Sequence, residues 1–342
     1  MASRPTIQDV SNESGVSVAT VDRVLNGRSK VREETARRVY DAALKIGYHA
    51  AGLIQQRLQA DLPEYRLGFI LQKQKQAFWQ NFAESINNAA RNYTKARIVV
   101  DISYAQTQSA SEYCELMRGL SKRTQSIAAM AIDHHDVTAE VAELKARNIA
   151  CFSMLSDFAQ GMRQSYIGLN NIKVGRGTAW MLSKVAQPGK VALFVGGHRW
   201  HGHELRETGF RSYFREYATD FQVLDTLVNL ETRQVTYEAT LDLLGRHSDI
   251  KALYCAGGGM EGAIEAMREC REPDEVVLIV NEDTPETRKA LHDRYVTMVN
   301  VTPLDKVCAE LMELMVSSVV NGLSEIPAQL FLSQEYLFPE MC

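Results

Sequence analysis

The chain has 342 residues, with 38 Lys and Arg against 42 Asp and Glu and a formal charge of −4. That length suits a small unit plus a two-lobed body, and the acidic balance excludes a basic coat as the source of any nucleic-acid affinity. Its six cysteines (Cys114, Cys151, Cys255, Cys270, Cys308, Cys342) form no C-x-x-C pair or metal-ligand spacing. That excludes a zinc ribbon and points to reduced thiols; with no apolar run of membrane length and no secretory h-region at the start, a cytoplasmic protein is expected.

Thr6 to Tyr48 contain short helical patterns joined by tight turns. Thr6 can cap a first helix, with Asp9 three residues on bonding back and Gly15 as the left-handed stop. Ser17 can cap a second helix in which Val21, Val24 and Leu25 face inward while Ala19, Thr20 and Arg23 face out. Small outward residues let a helix backbone approach base edges, and the fork of Arg23 matches guanine O6 and N7 in the major groove. A third helix is expected from about Arg32 to Gly47. Residues 1–62 hold nine Lys and Arg against seven Asp and Glu. DNA affinity must therefore come from a few placed contacts and from dimerisation.

These residues resemble the opening of the lactose-repressor-like (LacI/GalR) bacterial regulators. The matches are Thr6, Ile7, Asp9, Val10, Gly15, Val16, Ser17, Thr20, Val21, Arg23, Val24, Leu25, Asn26, Gly27, Val31, Thr35, Arg38, Val39, Gly47 and Tyr48. By position, the resemblance implies that Val18, Ala19 and Arg23 read bases and that Ser17 and Thr20 contact phosphates; Thr6 and Asn26 join the DNA-binding set. Asp22 departs from the family's usual Ser. A carboxylate there repels phosphate unless it pairs with Arg23 or accepts from a cytosine amine. The hinge departs too: His49-Ala50-Ala51-Gly52-Leu53-Ile54-Gln55-Gln56-Arg57-Leu58 lacks the family's Pro-Asn. Leu58 is the expected minor-groove wedge with Arg57 beside it, Leu53 competes for the role, and a plain linker helix is the bland alternative.

From Arg66 onward, short apolar strands alternate with amphipathic helices, the pattern of parallel sheets covered by helices. Strands are expected at 67–71, 98–103, 127–132, 150–154, 191–195, 252–255, 276–280 and 296–301. Crossings between two sheets are expected near 158–166, 282–285 and 322–327. The expected fold class is α/β: an all-α helix-turn-helix headpiece (1–49), a hinge (50–62) and a two-lobed body (63–342) resembling the periplasmic sugar-binding proteins.

Ligands in such sheets bind beyond the carboxyl ends of strands. Gln72, Phe78 and Trp79 follow the first strand, and Trp200, in the run His198-Arg199-Trp200-His201-Gly202-His203, is expected over the cleft. The resemblance adds Asp136 and Glu282, in the places of hydroxyl-binding acids, and Arg206, in Arg-x-x-Gly-aromatic. The histidine run lacks the further ligands of a metal site, so no metal is expected. Gly257-Gly258-Gly259-Met260-Glu261-Gly262 fits G-x-G-x-x-G, making an NAD(P)-binding enzyme or nucleotide-sensing regulator the rival reading. No hydrolase motif stands out. A transport protein shares the body but not the headpiece. The reading preferred is a non-enzymatic regulator, a repressor without a cofactor. It acts as a homodimer or dimer of dimers on a near-palindromic operator and answers to a small sugar or polyol.

Overall fold

The computed structural model describes residues 4–26, 31–58 and 62–342; the side chains of Glu33 and of residues 55–58 lie outside the described part. The chain divides into two compact units, Met1–Tyr65 with Arg91–Val99, and Arg66–Ala90 with Val100–Cys342.

The first unit opens with α1 (Ile7–Ser14), α2 (Val18–Asn26), α3 (Glu33–Lys45) and α4 (Ala51–Leu58). Thr6 and Asp9 form the reciprocal capping box and Gly15 closes α1 at φ 66°. Ser17 begins α2, its Oγ accepting from the Thr20 amide at 3.2 Å. Val10, Val21, Val24, Leu25, Ala36, Val39 and Ala43 meet in one core, and Ile54 of α4 is fully buried among them. Each Val, Leu or Ile side chain removed from water there contributes about 1.5–3 kcal/mol. The fourth helix is thus tied to the first three by Ile54, while Leu53 is 44% exposed.

The second unit holds most of β1 (Glu64–Gln72), α5 (Ala77–Asn92) and β2 (Arg97–Ala105), and all of α6 (Ala110–Ser121), β3 (Ser126–Ala129), α7 (His135–Ala146), β4 (Ala150–Met154) and β5 (Ser165–Leu169). There follow α8 (Asn171–Val185), β6 (Lys190–Val195), α9 (His201–Tyr217), β7 (Gln222–Val223), β8 (Leu227–Val228), α10 (Arg233–Arg246), β9 (Ile250–Cys255), α11 (Met260–Cys270) and β10 (Val277–Asn281). The last elements are α12 (Pro285–His292), β11 (Met298–Val301), α13 (Leu304–Asn321), β12 (Ala328–Leu332) and β13 (Glu335–Leu337). One sheet runs β12-β5-β4-β3-β1-β2 and the other β13-β11-β10-β9-β6-β7, with β8 also on β6. The strands of β3, β4 and β5 are buried throughout, as sheet covered on both faces must be. Among the described residues of the second sheet, the edge strand β13 alone pairs antiparallel, against β11.

The crossings differ from expectation. Residues 158–166 lead into β5, which stays in the first sheet; the chain passes to the second sheet between β5 and β6 through α8. Residues 282–285 stay within the second sheet between β10 and β11. The return runs from β11 through α13 to β12, and the last crossing is the short link from β12 to β13, beyond 322–327. Periodicity reveals that a helix follows a strand but not which sheet that helix covers.

Candidate functional site: a helix face and an interlobe cleft

The outward face of α2 carries Ser17, Ala19, Arg23 and Asn26 exposed, with Val18, Thr20 and Asp22 half-buried. Ser17 and Thr20 share a hydroxyl–hydroxyl bond of 2.9 Å. Asp22 does not pair with Arg23: its Oδ1 accepts from Asn26 Nδ2 at 2.7 Å, one turn along. The exposed Arg23 guanidinium has no hydrogen bond to a described residue, and the Asp22 carboxylate is held on the helix. Thr6 is occupied as the cap of α1. Arg57 and Leu58 belong to α4, but their side chains lie outside the described residues.

In the second unit, the carboxyl ends of strands from both sheets surround a cleft enclosing about 690 Å³, open solvent included. One sheet supplies Gln76, Phe78 and Trp79 at the start of α5, with Met130, Leu155 and Ser156. The other supplies His203 and Arg206 on α9, Glu231, the run Gly257 to Glu261, Asn281 and Glu282. Phe78 and Trp79 meet edge to face at 5.0 Å between centroids. Arg206 is buried; its Nε donates to Asn171 Oδ1 and its Nη1 to the Ala256 carbonyl, each at 2.7 Å. Those two bonds lock the guanidinium and leave Nη2 for the cleft.

The acids are held as firmly. Glu282 accepts from the Thr302 amide at 3.2 Å and hydroxyl at 2.9 Å. Burial pushes its carboxyl above the usual range, opposed by the charge of Arg206 and by the Thr302 bonds. Glu231 receives the Gly258 amide at 3.3 Å and faces Nε2 of His203 at 3.6 Å. Burial pulls His203 down to about 4, against the opposing pull of Glu231. Its Nδ1 accepts from the Gly196 amide at 3.1 Å, so the neutral ring carries its proton on Nε2. Lys73, at the end of β1, reaches across the lobes to donate to the carbonyls of Leu230 (3.2 Å) and Glu231 (2.7 Å). Lys73, Leu155, Glu231 and Glu282 all have positive φ. Non-glycine residues adopt that region at a cost of about 1–3 kcal/mol each, and such strain concentrates where side chains are aimed at a ligand.

The structure brings Phe78, Trp79, Arg206 and Glu282 together. Gln72 and Trp200 are buried outside the cleft lining, and Gln72 Nε2 and Trp200 Nε1 have no hydrogen-bond partner among the described residues. Trp200 packs near His203, 6.3 Å between rings, which turns it into support for the site and not its surface. Asp136 sits at a separate, more open hollow with Lys73, His134 and Arg199, where it faces His135 at 3.2 Å. Among the described residues, the side chains close enough to share a metal ion are His134, His135 and Asp136, not the His198 to His203 run. Glu231 was invisible to strand-end reasoning because β7 and β8 are two residues each.

The glycine run has a structural explanation that needs no dinucleotide. A Cβ on Gly257 meets His203 Cε1 at 2.4 Å, and one on Gly262 meets the Arg233 carbonyl oxygen at 2.0 Å where α10 and α11 touch. Gly259 has φ 88°. These glycines seat the cleft against His203 and bring two helices into contact.

A helix-turn-helix unit and a two-lobed α/β body with a cleft at the strand ends define a ligand-controlled DNA-binding class. Residues 6–50 match the bacterial regulatory proteins of the lacI family, and residues 67–319, well over half the chain, match a periplasmic binding protein domain. Similar proteins include the HTH-type transcriptional regulator RegA of Clostridium saccharobutylicum, 26% identical over 284 residues and 77% of either chain. Another is GalS of Salmonella typhimurium, 21% identical over 77% of this chain and 75% of that one. A solute-binding protein of Burkholderia graminis in complex with D-arabinose shares the fold at TM-score 0.75 and 18% identity, over 82% of this chain and 97% of that one. One from Actinobacillus succinogenes with bound D-allose does so at TM-score 0.71 and 15% identity, over 81% and 98%. The chain belongs to the lacI family of bacterial regulatory proteins: it is a DNA-binding transcription regulator with a periplasmic-binding-protein-like effector domain. No helix among its described residues is long and apolar enough to cross a membrane.

Proposed function

We propose that this regulator is a cytoplasmic repressor that binds a near-palindromic operator as a homodimer or dimer of dimers, without enzymatic activity. A small sugar or polyol between the lobes sets its operator affinity. The domains are assigned as headpiece 1–49, hinge 50–62 and effector-binding body 63–342. One headpiece offers too few contacts for specific affinity, so two must read paired half-sites. The observation that carries the reading is one chain holding both Arg23, on an exposed helix face and without a partner among the described residues, and a cleft where aromatic rings, a locked arginine and acids converge.

In this reading Val18, Ala19 and Arg23 read base edges, Ser17, Thr20 and Thr6 contact the backbone with Asn26, and Arg57 and Leu58 act at the minor groove. Phe78 and Trp79 stack on the C–H face of the effector, while Arg206 Nη2 and Glu282 take its hydroxyls. Gln72 and Trp200 support that wall from behind, and Asp136 borders the outer hollow. D-arabinose and D-allose in the fold relatives favour a carbohydrate over a nucleotide. The test is recovery of genomic fragments by the purified chain. Arg23→Ala should weaken specific binding by about 1–3 kcal/mol with effector binding intact, and unchanged affinity removes Arg23 from its role.

A further inference from the structure

The cleft's acids are unevenly matched. Glu282 is opposed by the charge of Arg206 and fixed by Thr302. Glu231 lies 4.0 Å from the Lys73 ammonium, with the His203 Nε2 proton and the Gly258 amide beside it. Glu261 also lines the cleft, half-buried in the first turn of α11. It has neither a hydrogen bond nor an ion pair among the described residues, though Lys73 feels its charge at longer range. His203 adds no cation, because its Nδ1 is spent accepting the Gly196 amide.

An uncompensated carboxylate in a partly dry pocket repels anionic ligands and attracts cationic ones. We propose that the effector is an amine-bearing sugar or polyol whose ammonium group is seated against Glu261. Its hydroxyls face Arg206 Nη2 and Glu282, and its apolar face lies on Phe78 and Trp79, whose rings accept either C–H bonds or a cation. This deepens the reading of the cleft as a polyol site and rests on it. Sugar acids and sugar phosphates are the disfavoured class, since the Arg206 guanidinium in the lining already gives Nε and Nη1 to Asn171 and Ala256 and cannot grip an anion with its full fork beside Glu261.

The experiment is calorimetry on the full chain at neutral pH with matched pairs: D-glucosamine and D-glucose, D-galactosamine and D-galactose, an inosamine and its parent inositol, with D-glucuronate and glucose 6-phosphate as anionic controls. In at least one pair the amine binds about tenfold or more tighter than its parent, and neither anion exceeds the parent sugar. Glu261→Gln brings the amine-to-parent ratio in that pair down toward one, and Glu261→Asp retains a preference. Parents binding as tightly as their amines, anions binding best, or a ratio indifferent to Glu261→Gln overturns the ammonium seat while leaving the polyol cleft standing. No binding by any member of the panel overturns both.

Discussion

Helices α8 and α9 touch through glycine, and that contact carries Arg206. A Cβ on Gly175 would stand 2.0 Å from the Arg206 carbonyl oxygen and 2.9 Å from the Phe210 nitrogen, both backbone atoms. Ordinary contact needs roughly 3.2 Å or more, so Gly175→Ala must part the helices by about 1 Å. Overpacking of this kind costs about 1–3 kcal/mol, and the upper end applies because no flexible side chain can yield. Alanine recovers about 1 kcal/mol through helix propensity, leaving a net loss of about 2 kcal/mol. The same shift draws Arg206 from Asn171 Oδ1 and the Ala256 carbonyl. One such charge-assisted bond is worth about 1.5–3 kcal/mol, so effector affinity should fall at least tenfold. Urea unfolding followed by tryptophan fluorescence reports on the body alone, since Trp79, Trp180 and Trp200 all lie in it. A Gly175→Ala chain as stable as the parent, with undiminished ligand binding, would show that the helices do not meet in this way.

Burial holds His203 at about 4, against an unfolded value of about 6.5, so the unfolded chain takes up the proton first as pH falls. Stability present above pH 6.5 is therefore lost on the way down to pH 4, by about 3 kcal/mol for this group. Melting profiles should flatten over that interval in His203→Gln; a profile parallel to the parent's contradicts the buried neutral ring. Ile54→Ala removes a fully buried side chain from the headpiece core and should cost about 2–5 kcal/mol there. Amide exchange across residues 6–58 of the full chain should accelerate at least tenfold, and unchanged protection would mean α4 does not stabilise the headpiece. Arg206→Lys keeps the charge but loses the fork that spans Asn171 and Ala256, so effector binding should weaken by about tenfold or more. Wild-type affinity would leave only charge as the role of Arg206.

The headpiece was legible because its signals are local: the Thr6 and Ser17 caps, the Gly15 stop and the 3.6-residue spacing of Val21, Val24 and Leu25 each act within one turn. The two-sheet body was legible as a class for the same reason, one apolar strand at a time. What was lost depends on tertiary choices. Strand β5 contains Gly168 between buried neighbours and has no alternation to read, so the first crossing was placed too early. Strand ends pointed to Phe78 and Trp79 and the family resemblance to Arg206 and Glu282, all of which line the cleft, but strand ends alone do not say which side chains turn inward, and Gln72 and Trp200 are buried outside the lining. The Gly257 to Gly262 run illustrates the converse: glycines needed for His203 and for the meeting of α10 and α11 mimic a phosphate loop.

The most direct measurement is the dissociation constant of the full chain for a recovered operator fragment, with and without the compound that most raises its melting temperature. If the cleft governs the headpiece, that constant shifts by about 5-fold to 150-fold, and operator DNA alters the compound's affinity by the same factor. Operator binding that ignores the compound at saturation, while the compound still binds the body, would mean that the two units of this chain act without reference to each other.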